Sequence, residues 1–275
     1  MAYVFPGEGS LDYFPCRYGS ARILFRGPRR DIDRAYVAVL GGTETYGKFV
    51  PFPFTDLLER DLGLAVANLG CMNAGPDVFL NEPEVTDVAA KSALTVIQIL
   101  GAHNLSNRYY AVHPRRNDRF LGATLLLRSI FPRVDFTEFN FTRHMLAALQ
   151  TCSADRFEVI AEELRAAWVS RMTTLLSRFT GPTVLLWMGN QAPPSPARRV
   201  DLSLNPLLVD AEMVMAVRAR ATGYVEAVAT AQICAEGLQG KAFSPLELPA
   251  AAIVPGPLAH RQAADLLLPV IQRLL

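Results

Sequence analysis

The chain has 275 residues, of which 51% are hydrophobic and 19% charged, a composition that can enclose a substantial core and excludes the disordered and coiled-coil classes. Its formal net charge of +1 provides no large single-sign field, so a general nucleic-acid partner is not expected. Residues 1–10 lack a basic segment followed by a long apolar run, and no stretch approaches the roughly 18 apolar residues of a membrane span, so a cytoplasmic protein without a membrane span is the expectation.

Five apolar runs, at residues 35–40, 64–69, 93–100, 183–188 and 224–230, predict strands. Continuous apolar runs suit strands covered on both faces, as in a parallel sheet between two helical layers. Helices are predicted between them at 54–61, 84–91, 155–179, 208–221 and 260–274. The third shows the clearest periodicity, with Phe157, Ile160, Ala161, Leu164, Ala167, Trp168, Met172, Leu175 and Leu176 at spacings of three and four. In the last, Pro269 is expected to kink or restart the helix.

This alternation predicts one α/β domain over residues 1–275: a three-layer, doubly wound, flavodoxin-like parallel sheet of about five strands. Such sheets place their sites beyond the strand carboxyl ends where the order reverses. Residues 104–181 exceed a minimal crossover and predict a helical insertion or cap after the third strand, while proline-rich 192–196 reads as a surface loop. Cys16, Cys71, Cys152 and Cys234 show no paired short spacing and read as reduced, mostly buried thiols.

Four blocks fall after the strands. Gly41-Gly42-Thr43-Glu44-Thr45 allows a sharp strand-to-helix turn, with Thr43 either in a nucleophile-like position or, with Thr45, a helix cap. Gly70-Cys71-Met72-Asn73-Ala74-Gly75 could offer an amide to an anion or be an ordinary turn. Gly101-Ala102-His103-Asn104 places an imidazole and an amide at the same sheet edge. Gly256-Pro257-Leu258-Ala259-His260 puts a histidine in the loop before the last helix.

In order and strand position these blocks resemble the SGNH, or GDSL-like, hydrolase superfamily, which has a Gly-Asp-Ser block, a glycine block, a Gly-x-Asn-Asp block and a late Asp-x-x-His block. The resemblance implies that Thr43 stands for the nucleophilic serine, His260 for the general base, and Asn104 for the oxyanion-hole asparagine. Asn73 or Gly75 would supply an oxyanion amide. The chain departs from the pattern at Gly42, where the family has aspartate, at Thr43, where it has serine, and at Pro257, where it has the acid of Asp-x-x-His. The whole chain also looks similar to a divergent bacterial group sharing the Gly-Gly-x-Glu-Thr-Tyr-Gly and Val-His-Pro-Arg-Arg-Asn-Asp-Arg-Phe stretches.

The second stretch gathers His113, Arg115, Arg116 and Arg119, with Asn117 and Asp118 between the arginines. Guanidinium forks suit carboxylate, phosphate or sulfate, so an anionic ligand is one reading and a solvated basic loop paired with local acids is the other. Tyr109 and Tyr110 read as core, and Asp135, Glu138, Arg143 and His144 form a further polar group that either faces substrate or pairs locally. No spacing matches a metal motif, and neither a metal nor an organic cofactor is expected. Two functions stay open. One is an esterase or acyltransferase with a threonine nucleophile acting on an acylated or anionic small molecule or glycan. The other is a catalytically degenerate domain that binds an anionic ligand or partner through the arginines. A third, group transfer from an activated nucleotide donor, rests on the arginines alone.

Overall fold

The computed structural model describes residues 9–196 and 199–275. The expectation for the amino terminus falls mainly on residues 1–8 and lies outside them. The chain opens its regular structure with β1 (Tyr36–Gly41), α1 (Thr43–Tyr46), α2 (Phe54–Leu62), β2 (Ala65–Gly70), α3 (Pro76–Leu80), α4 (Pro83–Ala90) and β3 (Leu94–Gln98). An excursion follows, made of β4 (Tyr110–His113), β5 (Arg116–Ala123), α5 (Leu125–Ile130) and α6 (Thr142–Cys152). The long α7 (Ala154–Leu176) returns the chain to β6 (Thr183–Gly189), α8 (Ala211–Arg218) and β7 (Gly223–Val228). The short α9 (Ala231–Ala235) and α10 (Leu248–Ile253) precede the closing α11 (Pro257–Leu274).

The five sheet strands lie in the order β2-β1-β3-β6-β7, every neighbouring pair parallel. Counted within the sheet this is the 2-1-3-4-5 order of flavodoxin-like folds, which reverses between β1 and β3. The expected three-layer, doubly wound α/β fold is therefore present. Alternation along the strands divides the core between the two faces. Val37, Val39, Val66, Val96 and Leu186 pack against Leu58 of α2 and Ala263, Leu267 and Ile271 of α11. Ala38, Leu40, Ala67, Leu69 and Ile97 meet Val78, Val85, Leu164, Trp168 and Val214 from α3, α4, α7 and α8. Burial on both faces explains why these strands read as unbroken apolar runs.

Local chemistry sets the helix starts. Ser153, Asp210 and Thr230 cap α7, α8 and α9 by accepting the amides of Arg156, Met213 and Ile233. The Asp210 cap explains why α8 begins at Ala211 rather than at 208. Helix α11 runs through Pro269 without interruption and starts at Pro257, so His260 lies inside a helix and not in the preceding loop. Proline is well suited to a first helical position, where its missing N–H costs nothing.

The segment after β3, expected as a helical insertion or cap, holds helices α5 and α6 and also two strands. Residues 110–123 form a two-stranded antiparallel hairpin, because Tyr110, Val112, Asn117 and Phe120 turn inward while Ala111, Arg116 and Leu121 stay outside. Helix α7 belongs to the sheet's own helical layer. Its Trp168 is fully buried and donates Nε1–H to Leu100 O at 2.7 Å. Among the cysteines, all free, Cys152 and Cys234 are exposed, contrary to the expectation of mostly buried thiols. Among the described residues no helix is long and apolar enough to cross a membrane.

Candidate functional site

A cleft of about 590 Å³ opens at the carboxyl ends of β1, β3, β6 and β7, at the point where the strand order reverses. The turn after β2 contributes Asn73 to it. Thr43 is the first residue of α1, and Gly42, not Thr43 or Thr45, holds the cap position. The turn is pinned by Gln98, a buried residue at the end of β3. Its Oε1 accepts the amides of Gly42 and Thr45 at 2.9 and 3.2 Å and the Thr45 hydroxyl at 2.7 Å. Gln98 Nε2 donates to Glu44 Oε2 at 2.8 Å, and Asn205 Nδ2 donates to Glu44 Oε1 at 3.1 Å.

The Thr43 hydroxyl faces Asn73. It accepts the Asn73 main-chain N–H at 2.9 Å and lies 3.3 Å from Asn73 Oδ1, to which it donates. Asn73 takes up a left-handed backbone with φ +55°, a conformation asparagine tolerates better than most residues. Behind it, Asn104 donates Nδ2–H to Asn73 O at 2.9 Å and accepts the Thr142 hydroxyl at 2.6 Å. Thr43, Asn73, Asn104 and Thr142 therefore form one hydrogen-bonded chain from α1 to α6.

This chain changes the oxyanion expectation. The Asn73 N–H and the Asn104 side-chain amide are already engaged in the closed network. The Gly75 N–H donates to Asn117 Oδ1 at 3.1 Å and does not face the cleft. Gly75 is required for another reason, since a Cβ there would fall 1.6 Å from Asn104 O.

The structure brings Thr43, Asn73, His103 and Asn104 to the cleft but not His260. His260 is buried on α11, stacked on Phe54, and its Nδ1 accepts the Phe54 N–H at 3.1 Å. Burial, reinforced by Arg26 and Lys241, pushes its pKa down to about 3. It is a neutral pin between α11 and the start of α2. His103 is the histidine that lines the cleft. The residue is half-buried, its Nδ1 is buried without a partner, and burial followed by the charge of Arg143 takes its pKa down to about 3.

The basic stretch is likewise redistributed. None of His113, Arg115, Arg116 and Arg119 lines the cleft. Arg115 reaches Glu82 at 3.8 Å, Arg119 stacks 4.3 Å from the Phe141 ring centroid, and Arg116 is exposed on β5. The residue with a fixed task there is Asn117, fully buried, which accepts the Gly75 and Val78 amides and donates to His113 O and Pro114 O. Asp118 meets the Asn73 side chain at 3.4 Å. Tyr110 is core, as expected, and donates its hydroxyl to His103 O at 2.6 Å.

The further polar group also separates. Asp135 caps a short 3-10 turn, His144 packs edge-on against Phe139, and Arg143 alone reaches the cleft. Glu44, Gln98 and Asn205 are among the cleft residues that sequence reasoning does not single out as a site, whereas Arg143 was read as either substrate-facing or locally paired. Glu44 sits in the glycine-rich turn itself, and that adjacency was the available signal. Among the described residues no cluster of three or more His, Cys, Asp or Glu side chains is arranged to hold a metal ion.

The fold and cleft define a doubly wound α/β protein with a polar site at the strand carboxyl ends. The chain belongs to the family described as Domain of unknown function (DUF6473), whose model matches residues 1–275. A comparison with curated proteins finds no match. Among solved structures the chain is similar to the lipase/acylhydrolase from Enterococcus faecalis, at 13% identity and a TM-score of 0.42 over 87% of this chain and 96% of that one. It is also similar to a carbohydrate esterase family 2 enzyme with a carbohydrate binding domain from Corynascus thermopiles (Myceliophthora fergusii), at 11% identity and a TM-score of 0.41, over 90% and 68%. A third is a protein from Lactobacillus plantarum, at 12% identity and a TM-score of 0.40, over 87% and 97%. The strand order rests on this chain's own hydrogen bonds.

Proposed function

We propose that the cleft is an acyl-transfer site, an esterase or acyltransferase acting on a small-molecule or glycan ester, with Thr43 Oγ1 as the attacking oxygen. The observation that carries this reading is the Thr43 hydroxyl at the strand-end turn, held from one side by the Asn73 N–H at 2.9 Å and open to the cleft. A donor of this kind stabilises negative charge as it develops on the oxygen. In the proposed step a bond forms between Oγ1 and the ester carbonyl carbon while the hydroxyl proton passes to His103. The ester C–O bond then breaks, and the alcohol leaves with that proton. Water or a second alcohol releases the acyl group from Thr43.

His103 takes the base role in this reading because it lines the same cleft, whereas His260 has its Nδ1 committed to Phe54. The lowered pKa of His103 makes it a weak base and slows the step. The β-methyl of threonine restricts rotation about χ1 and slows attack relative to serine. A slow, selective reaction is therefore expected.

The test is hydrolysis of p-nitrophenyl acetate and butyrate by the wild type and the Thr43→Ala, His103→Gln and His260→Asn variants, with mass spectrometry for an acyl adduct on Thr43. Turnover is expected to vanish in Thr43→Ala, to fall about 100-fold in His103→Gln, and to persist in folded His260→Asn. Full activity in Thr43→Ala overturns the proposal.

A further inference from the structure

Four arginines in and around the insertion lie beside carboxylates. Arg108 pairs with Glu163 and Arg171 with Asp77, both at 2.8 Å, while Arg115 and Arg165 each lie 3.8 Å from a carboxylate. Arg143 differs. It lines the cleft, is exposed, and among the described residues meets no carboxylate within ion-pair distance.

The acids of the cleft are not placed to neutralise it. Glu44 is held by the amides of Gln98 and Asn205, and Glu236 accepts the Leu258 N–H at 3.0 Å. The position of Arg143 is nevertheless well defined. Its neighbour Thr142 is buried and donates to Asn104 Oδ1, tying the start of α6 to the network that ends on the Thr43 hydroxyl. On the cleft wall beside it stands His103, whose buried Nδ1 has no partner and whose ring feels the guanidinium charge. An open guanidinium fork on the wall of a cleft, with an imidazole ring lining the same cleft, forms a receptor for an oxyanion.

We propose that Arg143 and His103 form an anion subsite that binds a carboxylate, phosphate or sulfate group of the substrate. The subsite rests on the acyl-transfer reading only for its place beside the reacting ester; as a binding site it stands alone. An anion there completes the Arg143 fork and sits in the cleft that the His103 ring lines. The substrate class is thus an ester that also bears an anionic group, and neutral esters lack this contact. The anion site belongs to Arg143 of α6, not to the arginines of the β4–β5 hairpin.

The experiment uses the full chain and titrates inorganic phosphate, sulfate and acetate separately at constant ionic strength. Binding is read from the shift in thermal midpoint and from histidine side-chain ¹H–¹⁵N spectra, with the His103 signal assigned through His103→Gln. At least one of the three anions is expected to bind the wild type and move the His103 resonance. Arg143→Ala is expected to weaken that binding about tenfold or more, Arg143→Lys to retain part of it, and Arg116→Ala to leave it unchanged. The anion bound most tightly identifies the group. No binding by any of the three, binding unaltered in Arg143→Ala, or binding lost in Arg116→Ala overturns the subsite. Because no turnover is needed, a chain that binds anions but does not cleave esters defeats the acyl-transfer reading alone. One that cleaves esters without binding anions defeats the subsite alone.

Discussion

His260 allows a quantitative test of its role as a neutral structural pin. Unfolded, the imidazole titrates near its ordinary value of about 6.5; folded, burial holds it down to about 3. Between those values the unfolded chain takes up a proton that the folded chain refuses. The stabilisation is therefore fully present above the unfolded pKa and is lost as pH falls towards the folded one. At about 1.4 kcal/mol per unit, lowering the pH from 6.5 to 4.5 costs about 2.5 kcal/mol from this residue. His260→Asn keeps an oxygen near the Phe54 amide but removes the titration and some ring packing, so at pH 7 it is expected to be roughly 1–3 kcal/mol less stable. Urea unfolding of both proteins at pH 7 and pH 4.5 isolates the effect, because the other titrating groups are shared. The gap should narrow by about 2.5 kcal/mol at the lower pH. A gap that stays constant would refute the reasoning and show that His260 accepts its proton inside the fold.

Two further outcomes follow from the cleft. Gln98→Ala removes the acceptor of three donors and is expected to cost about 3 kcal/mol or more, since each buried unsatisfied donor costs about 1–3 kcal/mol; denaturant melts give the stability, and ester turnover reports the displaced Thr43. Gly75→Ala drives a methyl to 1.6 Å from Asn104 O, a backbone atom that cannot yield cheaply. A loss of about 3 kcal/mol in unfolding free energy is expected, and unaltered stability would mean that the turn is more plastic than its hydrogen bonds imply.

The sheet is legible in the sequence because burial on both faces leaves runs such as Val37 to Leu40 with hardly a polar position. The strand-end turns are legible for a related reason: a parallel sheet must deliver residues like Thr43, Asn73 and Asn104 to one edge. The hairpin escapes notice because its inward positions include Asn117, a polar residue that earns burial through two hydrogen bonds to the distant Gly75 and Val78 amides and two to the nearby His113 and Pro114 carbonyls. His260 misleads because Gly256-Pro257 resembles a loop, although glycine followed by proline equally marks a helix start. Glu44 and Asn205 join the site only through long-range contact, their bond spanning 161 positions, which no local pattern encodes.

That bond joins two parts of the cleft wall. Asn205 belongs to the segment between β6 and α8, at the mouth of the cleft, and Glu44 is the chain neighbour of Thr43. With Gln98 gripping both Glu44 and the turn beneath it, displacement of the 205 segment pulls on the same short helix that presents the hydroxyl. A molecule that parts Glu44 from Asn205 on entering would remove one of the two amide partners that hold the residue next to Thr43.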